Sequence, residues 1–339
     1  MRARAWMKGK GTGVLTVSLL LSLLSWPAQS ASANNTTFSG EATVVQATVL
    51  GLPPIVLSDT GALDSTGGAR EASLLDANVP GLLTAEVLHA STVGQGQRSS
   101  SEASVANVTL TVGGNTISAG LLRARATAEC HNGTASVSGS SEIVDLVVNG
   151  QAIVVSGQPN QTISLPVGRV IINEQQSSVS GNTGDITVNA LHVMVDGVAD
   201  VIISSAHADI TCGGPVCPGG DFVTGGGWIT GTPSGEKGTF GVAGGIKNGA
   251  LWGHLTYIDH GTNMKVKGTG VTAYTVTGPT TRHIEGTAEI DGRSGSYQVD
   301  VSDNGEPGRK DTFSIMLSNR YSASGLLIGG NIQLHQPCK

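Results

Sequence analysis

An all-β fold in two antiparallel parts is what this sequence predicts, and three observations predict it. Apolar and polar residues alternate with a period of two. Tyr297, Val299 and Val301 enclose Gln298 and Asp300, and Phe313, Ile315 and Leu317 repeat the pattern; such alternation puts one face of a strand in a core. Dipeptides that accept φ > 0 at both central positions of a tight hairpin recur between β-rich runs: Gly113-Gly114, Asn149-Gly150, Asp196-Gly197, Asn248-Gly249, Asp291-Gly292 and Asn304-Gly305. Composition also changes sharply at one place. From Asn34 to Thr211 there are five arginines, no lysine, 15 acids and one aromatic, Phe38; from Cys212 to Lys339 there are ten bases, ten acids and nine aromatics.

In chain order, Arg2, Arg4, Lys8 and Lys10 precede an apolar run from Val14 to Trp26 and the small-x-small pattern Ala31-Ser32-Ala33. Residues 1–33 therefore read as a secretory signal peptide cleaved after Ala33. Without its four bases the net charge of −6 becomes −6 − 4 = −10, a sign that argues against nucleic acid or anionic membrane as partner. No later run approaches the roughly 20 apolar residues of a spanning helix. The mature chain is expected to be secreted, extracellular or associated with the cell envelope, with no transmembrane segment.

Residues 34–212 predict an N-terminal antiparallel β-sandwich-like domain. Phe38 is its single aromatic, so its core has to be built from Val, Ile, Leu and Ala. Ile143–Val148 and Gln151–Val155 form a hairpin around Asn149-Gly150. Leu82 to Ala90 fits a short helix as well as a strand. Residues 213–220 are a Gly/Pro linker, where glycine and proline forbid a continuous element. Residues 221–339 predict a C-terminal meander of about eight antiparallel strands, opened by Phe222–Thr230 and closed by Leu326–His335. Pairing of those end strands would make a closed or nearly closed barrel without exposed edges.

Four cysteines in a secreted chain point to disulfides. Cys130–Cys212 with Cys217–Cys338 places one bridge in each domain and is the favoured scheme; the rival is a local Cys212–Cys217 bridge with Cys130–Cys338. Enzyme signatures are scarce: the mature chain has no Gly-x-Ser-x-Gly, no His-Glu-x-x-His and no phosphate-binding glycine loop. Asp259-His260 with His254 would make half of a metal or acid–base site, although a strand end followed by a polar turn explains it more simply. The segment from Asp300 to Asp311 gathers oxygen ligands around a glycine turn, and Asp303, Asn304, Glu306 and Asp311 form a candidate calcium site. Its simpler reading is a long hairpin loop with internal hydrogen bonds. Trp228, Trp252 and Tyr257 are candidates for a sugar-binding platform, against a default of core packing. No other cofactor is expected.

The stretches Phe38-Ser39-Gly40-Glu41-Ala42-Thr43-Val44-Val45, Ser73 to Gly94, Asn149-Gly150-Gln151, Gln158-Pro159-Asn160-Gln161 and Ser205-Ala206-His207-Ala208-Asp209-Ile210-Thr211-Cys212 resemble the choice-of-anchor P family over residues 34 to 212. Asp221 to Ile229, Asp303 to Gly308, Asp311-Thr312-Phe313 and Gly329-Gly330-Asn331-Ile332 resemble the small β domain that often follows choice-of-anchor regions in bacterial secreted proteins. The resemblance implies an extracellular region and brings no catalytic residue. The chain departs from anchored members in having neither a cell-wall sorting motif nor a C-terminal membrane segment. The expected function is that of a secreted bacterial structural or binding protein without catalytic activity. Its partner would be an extracellular ligand, a polysaccharide or an envelope component. The alternative is a polysaccharide-binding or polysaccharide-cleaving matrix protein.

Overall fold

Two-residue turns set the frame. Gly113-Gly114, Asn149-Gly150 and Asp291-Gly292 all have φ between 48° and 78° and join residues in direct register, Val112 with Asn115, Val148 with Gln151 and Ile290 with Arg293. Asn132-Gly133 makes a further turn of this kind, with φ of 53° and 78°. Asp196-Gly197 belongs to a three-residue turn between the partners Val195 and Ala199. Asn304-Gly305 sits instead in the long loop between Ser302 and Thr312, the last register pair of its hairpin.

The computed structural model describes residues 35–214, 220–247 and 249–336; the expected signal peptide, Cys217, Asn248 and Cys338 lie outside them. No helix occurs among the described residues, and none is therefore long and apolar enough to cross a membrane. The fold is all-β. The first strands are β1 (Thr37–Phe38), β2 (Glu41–Val49), β3 (Ile55–Asp59), β4 (Gly68–Val79), β5 (Leu83–Gln95), β6 (Arg98–Val112), β7 (Asn115–His131), β8 (Thr134–Val144), β9 (Val147–Val148) and β10 (Gln151–Ala152). Then come β11 (Gln161–Ser164), β12 (Arg169–Ser180), β13 (Thr183–Val195) and β14 (Ala199–Thr211). One sheet has the order β11-β12-β13-β14-β2-β3 with β1 beside β14; the other has the order β10-β9-β7-β6-β5-β4 with β8 beside β7.

These two sheets pack face to face over a core of Val, Leu, Ile and Ala, with Phe38 as its one aromatic. Leu122, Ala124, Ala126 and Ala128 of β7 enter that core, while Arg123, Arg125 and Thr127 alternate onto the opposite face. The segment Leu82–Ala90 is strand from Leu83 onward, not helix. Its register shifts between Thr84 and His89, and Val87 takes φ 46°. Such a bulge adds a residue to one strand, so inward-facing Ala85 and Leu88 stand three apart and imitate helical spacing. Cys130 and Cys212 form a disulfide, which removes the rival pairing of Cys212 with Cys217.

The remaining strands are β15 (Phe222–Ile229), β16 (Gly238–Lys247), β17 (Ala250–Asp259), β18 (Met264–Val276), β19 (Thr281–Ile290), β20 (Arg293–Ser302), β21 (Thr312–Leu317), β22 (Ser322–Leu326) and β23 (Gly329–His335). They make one curled sheet of nine strands in the order β22-β21-β20-β19-β18-β17-β16-β15-β23. The closing strand, β23, pairs with the opening strand β15 as expected, Gly225 opposite Ile332, and begins at Gly329; Leu326 belongs to β22, which ends the other edge of the sheet. The Ser324 N–H reaches the Gly231 carbonyl at 3.0 Å and the Ile328 N–H the Trp228 carbonyl at 3.0 Å, so the curl nearly closes. Inside it, Phe240 stacks on Phe313 with centroids 3.8 Å apart, and Tyr257 and Tyr297 are buried beside them.

The described residues gather into one compact unit because the curled sheet lies on the polar face of the sheet that holds β5, β6 and β7. Glycine makes that approach possible. A Cβ on Gly226 would stand 2.8 Å from Ser104 Oγ, and one on Gly241 would stand 3.1 Å from His89 Cβ. The face being covered is charged. Arg123 donates to Glu102 at 3.2 Å and to Glu142 at 3.0 Å, and the Gly330 N–H donates to Glu142 at 3.1 Å. Arg125 pairs with Glu306 of the curled half. Burial raises the Glu102 carboxyl above its ordinary value although Arg123 opposes the shift.

Two outcomes follow from these contacts. The Cys130–Cys212 bridge closes a separation of 82 residues, so by the chain-entropy relation it stabilises by about 4–5 kcal/mol. Replacing both cysteines by alanine is expected to lower Tm by roughly 10 °C in a thermal melt. His89, 1% exposed, is held neutral by burial, with its pKa lowered to about 3 and His254 adding a smaller push. Because the folded pKa lies below the unfolded one, the unfolded chain takes up the proton first. The His89 contribution is therefore complete above about pH 6.5 and lost as pH falls toward 3. Between pH 7 and 5 the unfolding free energy of the native protein is expected to fall by about 2 kcal/mol more than that of His89→Gln. Urea unfolding at the two pH values checks this.

Candidate functional site

The loop between β3 and β4 is shaped by its own sequence. Leu63 is buried, and its N–H donates to the Gly40 carbonyl at 2.7 Å; the Gly67 N–H closes a turn on the Asp64 carbonyl at 2.8 Å. Gly67 has φ 84°, and a Cβ there would lie 2.4 Å from the Gly94 carbonyl oxygen, so only glycine fits. Asp64, Thr66 and Arg70 consequently line one side of a cavity of about 440 Å³, and Phe222, Ile246, Lys247 and Trp252 of the curled sheet line the other.

Trp252 meets Phe222 edge-on, with centroids 5.8 Å apart at 90°. The Lys247 ammonium stands 5.4 Å from the Trp252 ring centroid and donates to the Ala69 carbonyl. Arg70 reaches Asp64 at 3.4 Å, and both side chains remain well exposed. Burial, followed by the Arg70 charge, pulls the Lys247 ammonium below its usual range while Asp64 pushes back. The pocket therefore offers an aromatic wall, a hydroxyl, two cations and one carboxylate. Its size suits a small organic ligand.

Of the three aromatic candidates, Trp252 is in this pocket and the others are not. Tyr257 is fully buried, and its hydroxyl shares a 2.7 Å hydrogen bond with Tyr321; it has no surface for a sugar to stack on. Trp228 is packed between Lys237, 5.1 Å from its ring centroid, and Gly329. The period-two pattern places Tyr257 in phase with Leu255, inside the curl, whereas Trp252 takes the opposite face. Asp64, Thr66, Arg70 and Lys247 were not anticipated from sequence. The one signal that bears on them is local, the Gly67-Gly68 pair for the loop and the turn after Lys247.

The candidate calcium residues are each engaged by hydrogen bonds or ion pairs within the protein. Asp303 accepts from the Gly305 and Leu334 N–H groups, and Asp311 from those of Asn304 and Ile332. Asn304 donates to Ser302 Oγ and the Lys310 carbonyl, while Glu306 meets Arg125 and Asn331. The loop is thus a staple between β20, β21 and β23. Burial pushes the Asp311 carboxyl up to about 6. For Glu306 burial works upward too, but Arg125, Arg123 and Asn331 together hold it below its ordinary value. No group of three or more His, Cys, Asp or Glu side chains with metal-binding geometry occurs among the described residues.

Asp259 and His260 are likewise held by hydrogen bonds within the protein. Asp259 accepts from Ser234, Tyr321 and the Gly261 and Thr262 N–H groups, and His260 is bonded to Thr239 at 3.0 Å. A second cavity of about 280 Å³ is lined by Arg98, Arg123, Arg125 and Glu306. Its cations are already matched, Arg98 by Glu129 at 3.3 Å and the other two by Glu102, Glu142 and Glu306.

No protein-family model and no curated protein matches the chain. Among solved structures, a protein provisionally named AttH, from Nitrosomonas europaea, aligns over 89% of this chain and 93% of that one at 7% identity, with a TM-score of 0.22. A likeness that low carries no argument about this chain.

The two aromatic positions are expected to separate in denaturant unfolding. Tyr257→Ala empties a filled core and loses about 3–5 kcal/mol. Trp252→Ala gives up one edge-on contact and one cation–π contact and loses about 1–2 kcal/mol.

Proposed function

We propose that the chain is an extracellular, non-catalytic binding protein whose ligand sits in the pocket between the β3–β4 loop and the curled sheet. The observation that carries this reading is Trp252. It is the candidate aromatic that lines a cavity, where it is joined by Arg70, Lys247, Thr66 and Asp64. Export is supported by the basic, apolar and small-residue order of positions 1–33 and by the Cys130–Cys212 disulfide, since such bonds persist in oxidising compartments. The resemblance of residues 34–212 to choice-of-anchor P regions agrees with a place outside the cell.

The polysaccharide reading is favoured by the same tryptophan, because sugar rings pack against indole. Cleavage has less support. Glycoside hydrolysis uses two carboxyl groups roughly 5–9.5 Å apart, and Asp64 is the one acid among the pocket's lining residues. Titration calorimetry of the mature protein against a panel of neutral and acidic oligosaccharides tests the reading. Binding that Trp252→Ala weakens about tenfold or more, with no release of reducing ends, is the expected outcome. Binding unaffected by Trp252→Ala would move the site elsewhere.

A further inference from the structure

Charge narrows the ligand class. Lys247 spends one of its three N–H donors on the Ala69 carbonyl, and Arg70 spends one of its five on Asp64. The rest have no hydrogen-bond partner among the described residues. Arg70 meets Asp64 as Arg123 and Arg125 of the buried junction meet their glutamates, whereas Lys247 has no carboxylate at ion-pair distance among the described residues. The pocket thus holds two cations against one carboxylate, in a chain whose mature charge is −10. The surplus lies beside an aromatic wall formed by Trp252 and Phe222.

We infer that the pocket receives an acidic saccharide, a sugar residue whose carboxylate is held by Arg70 and Lys247 while its ring lies against Trp252; this rests on the binding reading above and deepens it. A carboxylate supplies the acceptors that the unused donors lack, and charge-assisted hydrogen bonds of this kind are the strong ones. The apolar face of a pyranose suits the indole, and Thr66 can serve a ring hydroxyl. Arg70 comes from the sandwich and Lys247 from the curled sheet, so the site exists only while the two halves are packed together. A neutral sugar would use the tryptophan and leave the surplus positive charge of the pocket unmatched.

The experiment compares a trigalacturonate with the uncharged trigalactose of equal length by calorimetry, in 20 mM and 300 mM NaCl. The native protein is expected to bind the trigalacturonate about tenfold more tightly at low salt, an advantage that salt reduces. Arg70→Gln and Lys247→Gln should each erase most of that advantage, weakening trigalacturonate far more than trigalactose. Arg70 is exposed enough that its variant keeps the fold, and a thermal melt verifies this for both. Equal affinity for the two oligomers would overturn the acidic preference and leave the binding reading standing. Binding of neither would overturn both. Competition by acetate as effective as that by trigalacturonate would make the pocket a general anion seat and overturn the saccharide assignment.

Discussion

The buried charge on the outer face of the β5–β6–β7 sheet is the constraint on which the rest of the structure depends. A sandwich could leave Glu102, Arg123, Arg125 and Glu142 in water at little cost. Here the curled sheet lies on top of them, and charges removed from water have to be matched within the protein. Arg123 is matched by two glutamates on neighbouring strands. The Gly330 N–H and Glu306 answer Glu142 and Arg125 from the curled half. Opening the junction would rehydrate the charges but leave the glycine-lined face of β15 and β16 uncovered. The two halves are therefore interdependent although their apolar cores are separate.

This dependence explains where the candidate pocket is found. A glycine-faced sheet settles close to its neighbour, and side chains larger than hydrogen are pushed to the margin of the contact. Phe222, Lys247 and Trp252 stand at that margin, opposite a loop whose course is set by Gly67 and Leu63. The cavity is the space left where close packing ends. Its residues come from both halves, so no single segment of the chain carries a recognisable motif for it.

Much of the architecture was legible in the sequence. The period of two identified the inward faces of β20 and β21, and the turn dipeptides located several hairpins to within a residue. The change of composition near Cys212 coincides with the passage from the two packed sheets to the curled one. Leu82–Ala90 stayed open between helix and strand because a bulge shifts the phase of a strand and leaves apolar residues three apart. The closing segment was legible both as a strand and as the partner of the opening one, whereas the short β22 at the other edge was not, since a crossing from one sheet edge to the other has no local signature. Trp252 was among the named aromatics, and its phase, opposite to that of Leu255 and Tyr257, was the signal that could have set it apart.

What the sequence determined by itself was the alternation of each strand, and with it which side chains share a face. Leu122, Ala124 and Ala126 must lie opposite Arg123 and Arg125 in any β-strand, because successive side chains point to opposite sides. Tertiary structure alone decided what that polar face would meet. In isolation it reads as a surface for water; in the folded protein it is covered, its charges are paired across the junction, and its edge borders the pocket. The physical reason is range. Periodicity and turn chemistry act over a few residues, whereas Arg125 finds Glu306, and Arg70 comes to share a cavity with Lys247, only after sheets far apart in sequence have packed together.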